Sequence, residues 1–125
     1  MLKDTNVVAT VAVKDLVAAR RFYVDKLGLA ATDSPEPSVM GLRSGSSTLM
    51  VYESQYAGTN KATAATWSVG KEIEGIVQAL KARGVSFEHY ELPGAALQGD
   101  IHVAGDMKAA WFKDPDGNIL CLANG

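Results

Sequence analysis

Cysteine and histidine are scarce: Cys121 stands alone, and His89 and His102 are the only imidazoles in 125 residues. One thiol cannot staple a fold or build a structural zinc site, which points to a reducing, cytoplasmic setting. Long apolar runs are missing too. None approaches the roughly 20 residues that cross a bilayer, so a membrane partner is not expected. The opening Met1-Leu2-Lys3-Asp4 lacks the apolar stretch of a signal peptide. Positive charge is not in excess, with 12 Lys+Arg against 14 Asp+Glu and a net charge of −2. Without a basic stripe, nucleic acid is not expected as a partner either. What remains is 47% hydrophobic and 21% charged, which suits one compact domain, or two small modules sharing one core.

Strand-like Val7–Val13 is β-branched and stops at Lys14-Asp15, where Asp15 reads as a helix N-cap. A helical pattern follows, with Leu16, Ala19, Tyr23 and Leu27 on one face and Gly28 suited to end it. Leu29–Thr32 reads as a further strand ahead of Pro35 and Pro37. Val39–Arg43 and Thr48–Glu53 then read as a hairpin around Ser44-Gly45-Ser46-Ser47. The second half repeats this order: Ala64–Val69 as a strand, Lys71–Arg83 as a helix ended by Gly84, then Val85–Glu91, Lys108–Lys113 and Ile119–Leu122 as strands. Adding 56 carries Val8, Val13 and Gly28 onto Ala64, Val69 and Gly84; adding 57 carries Leu16, Ala19 and Tyr23 onto Ile73, Ile76 and Leu80. Two copies of one unit, slipped by one residue inside, account for both offsets.

Module one thus spans about residues 7–53, the polar segment 54–63 links, and module two spans about 64–122. Leu92–Met107 has no clear period and reads as a long loop, plain surface or a lid over a binding site. His102 lies on it as a titratable group. Trp67 alternates away from Thr66 and Ser68 and reads as core. His89 and Tyr90 lie late in a strand, where they read as structural, with one of them able to reach the pocket as the alternative.

Val13-Lys14-Asp15-Leu16, Arg21-Phe22-Tyr23, Leu27-Gly28-Leu29 and the closing Asp114-Pro115-Asp116-Gly117-Asn118 occur together at their characteristic separation. This set resembles the vicinal oxygen chelate superfamily of glyoxalases, bleomycin-resistance proteins, fosfomycin-inactivating enzymes and extradiol dioxygenases. The resemblance implies an α+β fold in which two βαβββ modules form a cupped mixed sheet around a central cleft, usually in a homodimer. Each signature has a local reading as well: Asp114–Asn118 is a turn, and Phe22 and Tyr23 are packing residues.

The resemblance also places the positions at which relatives hold a divalent metal, here Val8, Glu53, Ala64 and Cys121. Val8 and Ala64 offer no lone pair, one carboxylate with one thiol does not hold Mg²⁺ or Mn²⁺, and Zn²⁺ lacks a third protein ligand unless His102 swings in from the long loop. No cofactor is expected. Alternation with Val8 and Glu53 inward places Thr10, Val51, Thr66 and Ser68 in the cleft, with Trp111 where relatives present an aromatic. Such a lining suits a small-molecule ligand. A carboxylate at Glu53, desolvated among aliphatic and aromatic groups, admits three readings: a structural remnant, a counter-charge for a cation stacked on Trp111, or a general base. The expected function is metal-free binding of a small molecule, sequestering a planar or cationic toxic compound. The alternatives are a glyoxalase-like lyase or isomerase with Glu53 as base, and a non-catalytic interaction domain.

Overall fold

The computed structural model describes residues 1–32 and 37–125; Pro35 lies outside them. Ten strands and two helices run β1 (Ala9–Val13), α1 (Leu16–Arg20), β2 (Ala30–Ala31), β3 (Val39–Ser44), β4 (Ser47–Glu53), β5 (Thr63–Ser68), α2 (Ile73–Ala82), β6 (Phe87–Glu88), β7 (Ala96–Gln98), β8 (Ile101–Ala104), β9 (Met107–Lys113) and β10 (Ile119–Ala123). They form a four-stranded sheet ordered β1-β4-β3-β2 and a six-stranded one ordered β5-β10-β9-β8-β7, with β6 also on β9. Each module pairs its first and last strands in parallel, β1 with β4 and β5 with β10, and the rest antiparallel. This is the expected α+β fold; the β-α-β-β-β order holds in the first half, and in the second the hairpin β7–β8 is added between β6 and β9. No helix among the described residues is long and apolar enough to cross a membrane.

Local chemistry explains the elements. Asp15 is extended at φ −141° and its Oδ1 accepts from Val17 N–H at 2.9 Å, satisfying a donor that the first helical turn leaves free. The β3–β4 turn closes between Ser44 and Ser47, with Gly45 at φ +59°, where a side chain would be strained. The expected single helix over Leu16–Leu27 is two pieces. After Arg20 the chain widens into a π-turn, Arg21–Lys26, in which Leu27 N–H reaches back to Phe22 C=O. A π-turn holds one more residue than an α-turn. Module one accordingly has five steps from Tyr23 to Gly28, where module two has four from Leu80 to Gly84. Before α2 the chain makes a 3₁₀ turn, Gly70–Glu72, and the spacing from Val69 to Ile73 is one longer than from Val13 to Leu16. The 56/57 slip is these two irregular turns.

One core joins the modules. Val11, Val13, Met40, Leu42, Leu49 and Val51 of the first sheet, and Ala110, Phe112, Leu120 and Leu122 of the second, pack with Phe22, Tyr23, Ile73, Val77 and Leu80. Burying each large side chain stabilises by roughly 1.5–3 kcal/mol. The Phe22 and Phe112 rings approach to 6.3 Å across the modules, and Trp67 stacks on Phe112 while its Nε1–H donates to Ser44 Oγ at 2.9 Å. Trp67 is a core residue, as its alternation indicates.

The closing turn rivets the halves together. Asp114 accepts from Tyr23 Oη–H at 2.8 Å, from the backbone N–H groups of Asp116 and Asn118 at 2.9 Å each, and from Asn118 Nδ2 at 2.7 Å. Asn118 Nδ2 also donates to Ala12 C=O at 2.7 Å, and Asp116 accepts from Lys14 N–H at 3.1 Å. Burial, and then the adjacent Asp114 carboxylate, push the Tyr23 phenol far above its ordinary value, so it stays a neutral donor. The signature residues are therefore inter-module fasteners.

Leu92–Met107 departs from the expected loop. It contains the hairpin β7–β8, with Leu97 opposite His102, and β8 extends the sheet along β9. Asp100 at the hairpin turn bonds Lys81 Nζ at 2.7 Å and His89 Nε2 at 2.7 Å, tying the hairpin to the end of α2. Lys81 first, then His89, hold the Asp100 carboxyl below its ordinary range. The hairpin is anchored at its turn, whereas residues 91–94 and 96–98 remain exposed.

Candidate functional site

Register fixes which side chains share a face. In the parallel β1–β4 pair, Thr10 lies beside Met50, Val11 beside Val51, Ala12 beside Tyr52 and Val13 beside Glu53. Val11, Val13 and Val51 are core residues with 0–2% exposure. The expectation that Val51 lines the cleft is therefore corrected, because Val51 faces the core. Glu53 shares that parity; lying at the strand end, it escapes to solvent and lines only a shallow hollow with Lys14, Ser54 and Gln55. Its expected desolvation among aliphatic and aromatic groups does not occur. Thr10 and Ala12 do face outward, together with Met50 and Tyr52, which sequence reasoning missed; Val8, just before β1, is exposed. A one-residue parity slip on β4 exchanges the two faces.

Module two keeps the expected set on one outward face. Cys121 pairs with Thr66 on one side and Trp111 on the other, Ala123 with Ser68, and His102 with Ala109 two residues from Trp111. Around Trp111 an aromatic cluster forms. His102 lies edge-to-face with it at 5.0 Å, Tyr90 edge-to-face at 5.6 Å, and Tyr90 stacks on His102 at 6.1 Å. Trp111 Nε1–H donates to Thr63 Oγ1 at 3.1 Å, which fixes the indole. Of His89 and Tyr90, between which the sequence left the pocket neighbour open, Tyr90 is the one beside Trp111. Its signal was proximity to the end of a strand pairing β9, visible only once β6 is placed. The acid in register with Trp111 is Glu88 rather than Glu53, and its carboxylate pairs with Lys113 at 3.4 Å.

Three hollows divide the candidate residues. Trp111 and Tyr90 line a cavity of about 400 Å³ with Lys61, Ala62, Thr63 and Ile119. Tyr90 and His102 line one of about 490 Å³ under Glu91–Leu97. Thr66 and Ser68 line a groove of about 520 Å³ between β5 and the β3–β4 turn. No one of these three holds both Trp111 and Thr66. The first two meet at Tyr90, beside the Trp111–Tyr90–His102 cluster.

The donor set does not fit a divalent metal. Val8 and Ala64 carry no ligating atom, Glu53 is off the outward face, and Met50, beside Thr10, offers a thioether unsuited to hard cations. His102 adds nothing. Its Nε2 accepts from Tyr90 N–H at 2.9 Å, so the neutral ring carries its proton on Nδ1 and has no second lone pair to give. Among the described residues no group of three or more His, Cys, Asp and Glu is placed to hold an ion.

Cys121 is buried, and its thiol donates to Leu122 C=O at 3.4 Å. Desolvation pushes the thiol above its ordinary range, with the Thr66 side chain pulling weakly the other way. A neutral, covered thiol is a poor nucleophile. Native protein at pH 7.5 should react with a disulfide reagent at least about a hundred-fold slower than a free thiol, and one thiol should appear on unfolding in guanidinium. Prompt labelling of the native chain would contradict this placement.

A search of the curated proteins finds no match to this chain. Among solved structures, a glyoxalase/bleomycin resistance protein/dioxygenase from Alicyclobacillus acidocaldarius superimposes with TM-score 0.72 at 19% identity, covering 96% of this chain and 90% of that one. The fosfomycin resistance protein FosX from Listeria monocytogenes gives 0.73 at 16%, covering 98% and 93%. A lactoylglutathione lyase from Agrobacterium tumefaciens gives 0.70 at 17%, covering 96% and 92%. At these identities the likeness establishes the fold and leaves the chemistry open. The family model described as Glyoxalase/Bleomycin resistance protein/Dioxygenase superfamily matches residues 6–122, and the chain belongs to that superfamily.

Proposed function

We propose that this protein binds a planar small molecule against Trp111 without a metal, in the manner of a sequestering member of its superfamily. The observation that carries this reading is the Trp111–Tyr90–His102 cluster, three aromatic rings within 5.0–6.1 Å of one another beside two cavities. Aromatic walls with a few placed polar groups are the usual lining of a small-molecule pocket. The lyase reading puts Glu53 at the cleft; here its carboxylate sits at the exposed end of β4 beside Lys14, Ser54 and Gln55, in a different hollow from Trp111. Two copies of the chain are proposed to pair, since Val8, Met50 and Tyr52 leave an apolar sheet face 36–41% exposed.

Tryptophan emission tests the proposal directly. In a Trp67→Phe background the signal comes from Trp111 alone. A panel of planar aromatics, with cationic ethidium and neutral 9-fluorenone among them, should include compounds that quench it saturably at micromolar concentration. Glu53→Gln should leave those affinities within about twofold, as expected of an exposed group remote from the ligand. A panel that leaves Trp111 unperturbed would refute the binding reading.

A further inference from the structure

The Trp111 cluster contains two polar atoms that find no hydrogen-bond partner among the described residues, Tyr90 Oη and His102 Nδ1, both buried. His102 as a whole is 4% exposed. The Tyr90 backbone N–H occupies His102 Nε2 at 2.9 Å, so Nδ1 of the neutral imidazole carries the hydrogen and is a donor. Leaving a buried donor unpaired costs about 1–3 kcal/mol, and here there are two. Both residues line the same cavity of about 490 Å³, whose other walls are Leu92, Pro93, Ala95, Leu97 and the side of Glu91.

Charge narrows what belongs there. Two donors do not suit a cation, Glu91 disfavours an anion, and the nearby Glu88 carboxylate is already paired with Lys113 at 3.4 Å. We infer that His102 Nδ1–H and the Tyr90 hydroxyl are the donors for carbonyl oxygen on an uncharged planar ligand, with the apolar wall of residues 92–97 over its rings. The inference rests on the small-molecule reading above and names its ligand class: neutral aromatic ketones, amides and similar carbonyl compounds rather than cations. Both donors are closed to solvent, so the ligand reaches them by displacing the exposed 92–97 segment. That segment is held to the sheet only through β7, which makes three residue pairs with β8. Few buried contacts and short pairing make such a segment inexpensive to open.

The test compares 9-fluorenone with fluorene, which has the same ring frame and no carbonyl, by Trp111 quenching in the Trp67→Phe background. Fluorenone should bind at least about tenfold tighter, the effect of pairing two buried donors. Tyr90→Phe, which removes only the hydroxyl, should cut the fluorenone-over-fluorene preference about three- to tenfold, read as the ratio of the two affinities within that variant, and His102→Phe should lower the same ratio, provided circular dichroism confirms its fold. Nitrogen-15 spectra of the two histidines should show the Nδ1–H tautomer at His102, with its resonance moving on fluorenone addition and not on fluorene addition. Equal affinity for the two compounds, or a proton on Nε2, would overturn the donor assignment while leaving the binding reading standing. If neither compound binds, both fall.

Discussion

Asp114→Ala should lower the stability of the folded chain by about 3–5 kcal/mol, the range for removing one partner from a buried charged network. The carboxylate accepts from Tyr23, from Asn118 Nδ2 and from the N–H groups of Asp116 and Asn118. Its loss strands four donors in a site where Asp114, Asn118 and Tyr23 are all buried. Water entering the gap would recover part of that cost, which is why the total stays below the sum of four broken bonds. Because the turn fastens module two to β1, Lys14 and the Arg21–Lys26 π-turn of module one, unfolding should remain one transition that simply moves. Urea denaturation is the measurement, with a shifted midpoint and an unchanged slope expected. Tyr23→Phe should cost less, about 1–3 kcal/mol, because Asp114 keeps its other donors. A loss below 1 kcal/mol on Asp114→Ala would mean that the turn is ornamental to the fold.

The second large effect concerns ligand rather than fold. Trp111→Ala should weaken binding of a planar ligand by about 30-fold, roughly 2 kcal/mol, combining lost apolar contact with lost ring–ring geometry. Stability should fall much less, since Trp111 is not part of the shared core and its indole packs in the outward cluster and donates to Thr63. The contrast with Trp67 is the control. Trp67 stacks on Phe112 within the core, so Trp67→Phe should alter stability modestly and affinity not at all. Isothermal titration reads both affinities without depending on the fluorescence that the Trp111 variant lacks. Unchanged affinity on Trp111→Ala would remove the cluster from consideration as the site.

Much of the architecture was legible because it follows from period and spacing. The internal repeat, the Asp15 cap and the Gly45 hairpin each rest on a local rule that tertiary packing did not override. Even the one-residue slip between offsets was present in the sequence. Its cause was not, because a π-turn after Arg20 and a 3₁₀ turn before Ile73 leave no mark on apolar periodicity. The β7–β8 hairpin was invisible for a related reason: strands of three and four residues are too short to show alternation, and their pairing comes from β9. The site was half legible. Trp111, Thr66, Ser68 and Cys121 fall on one face because strand alternation needs only a correct parity, whereas His102 joins them through β8, which reads as loop in the sequence. On β4 the parity was counted from Glu53, a strand-end residue whose exposure is consistent with either face. The register with Val13 decides it, and register is a property of two strands that neither reveals alone. For His89 and Tyr90 the sequence left open which of the two reaches the pocket, because the place of Tyr90 beside Trp111 depends on that same kind of pairing.

Metal-independent recognition by the outward face of module two is the claim that holds the functional account together. Titrating 9-fluorenone into the Trp67→Phe protein, first after exhaustive chelation and then with added Mn²⁺ and Zn²⁺, measures it most directly. The account predicts one saturable affinity, unchanged within about twofold by chelator or ion. Affinity that vanishes on chelation and returns with either ion would contradict it.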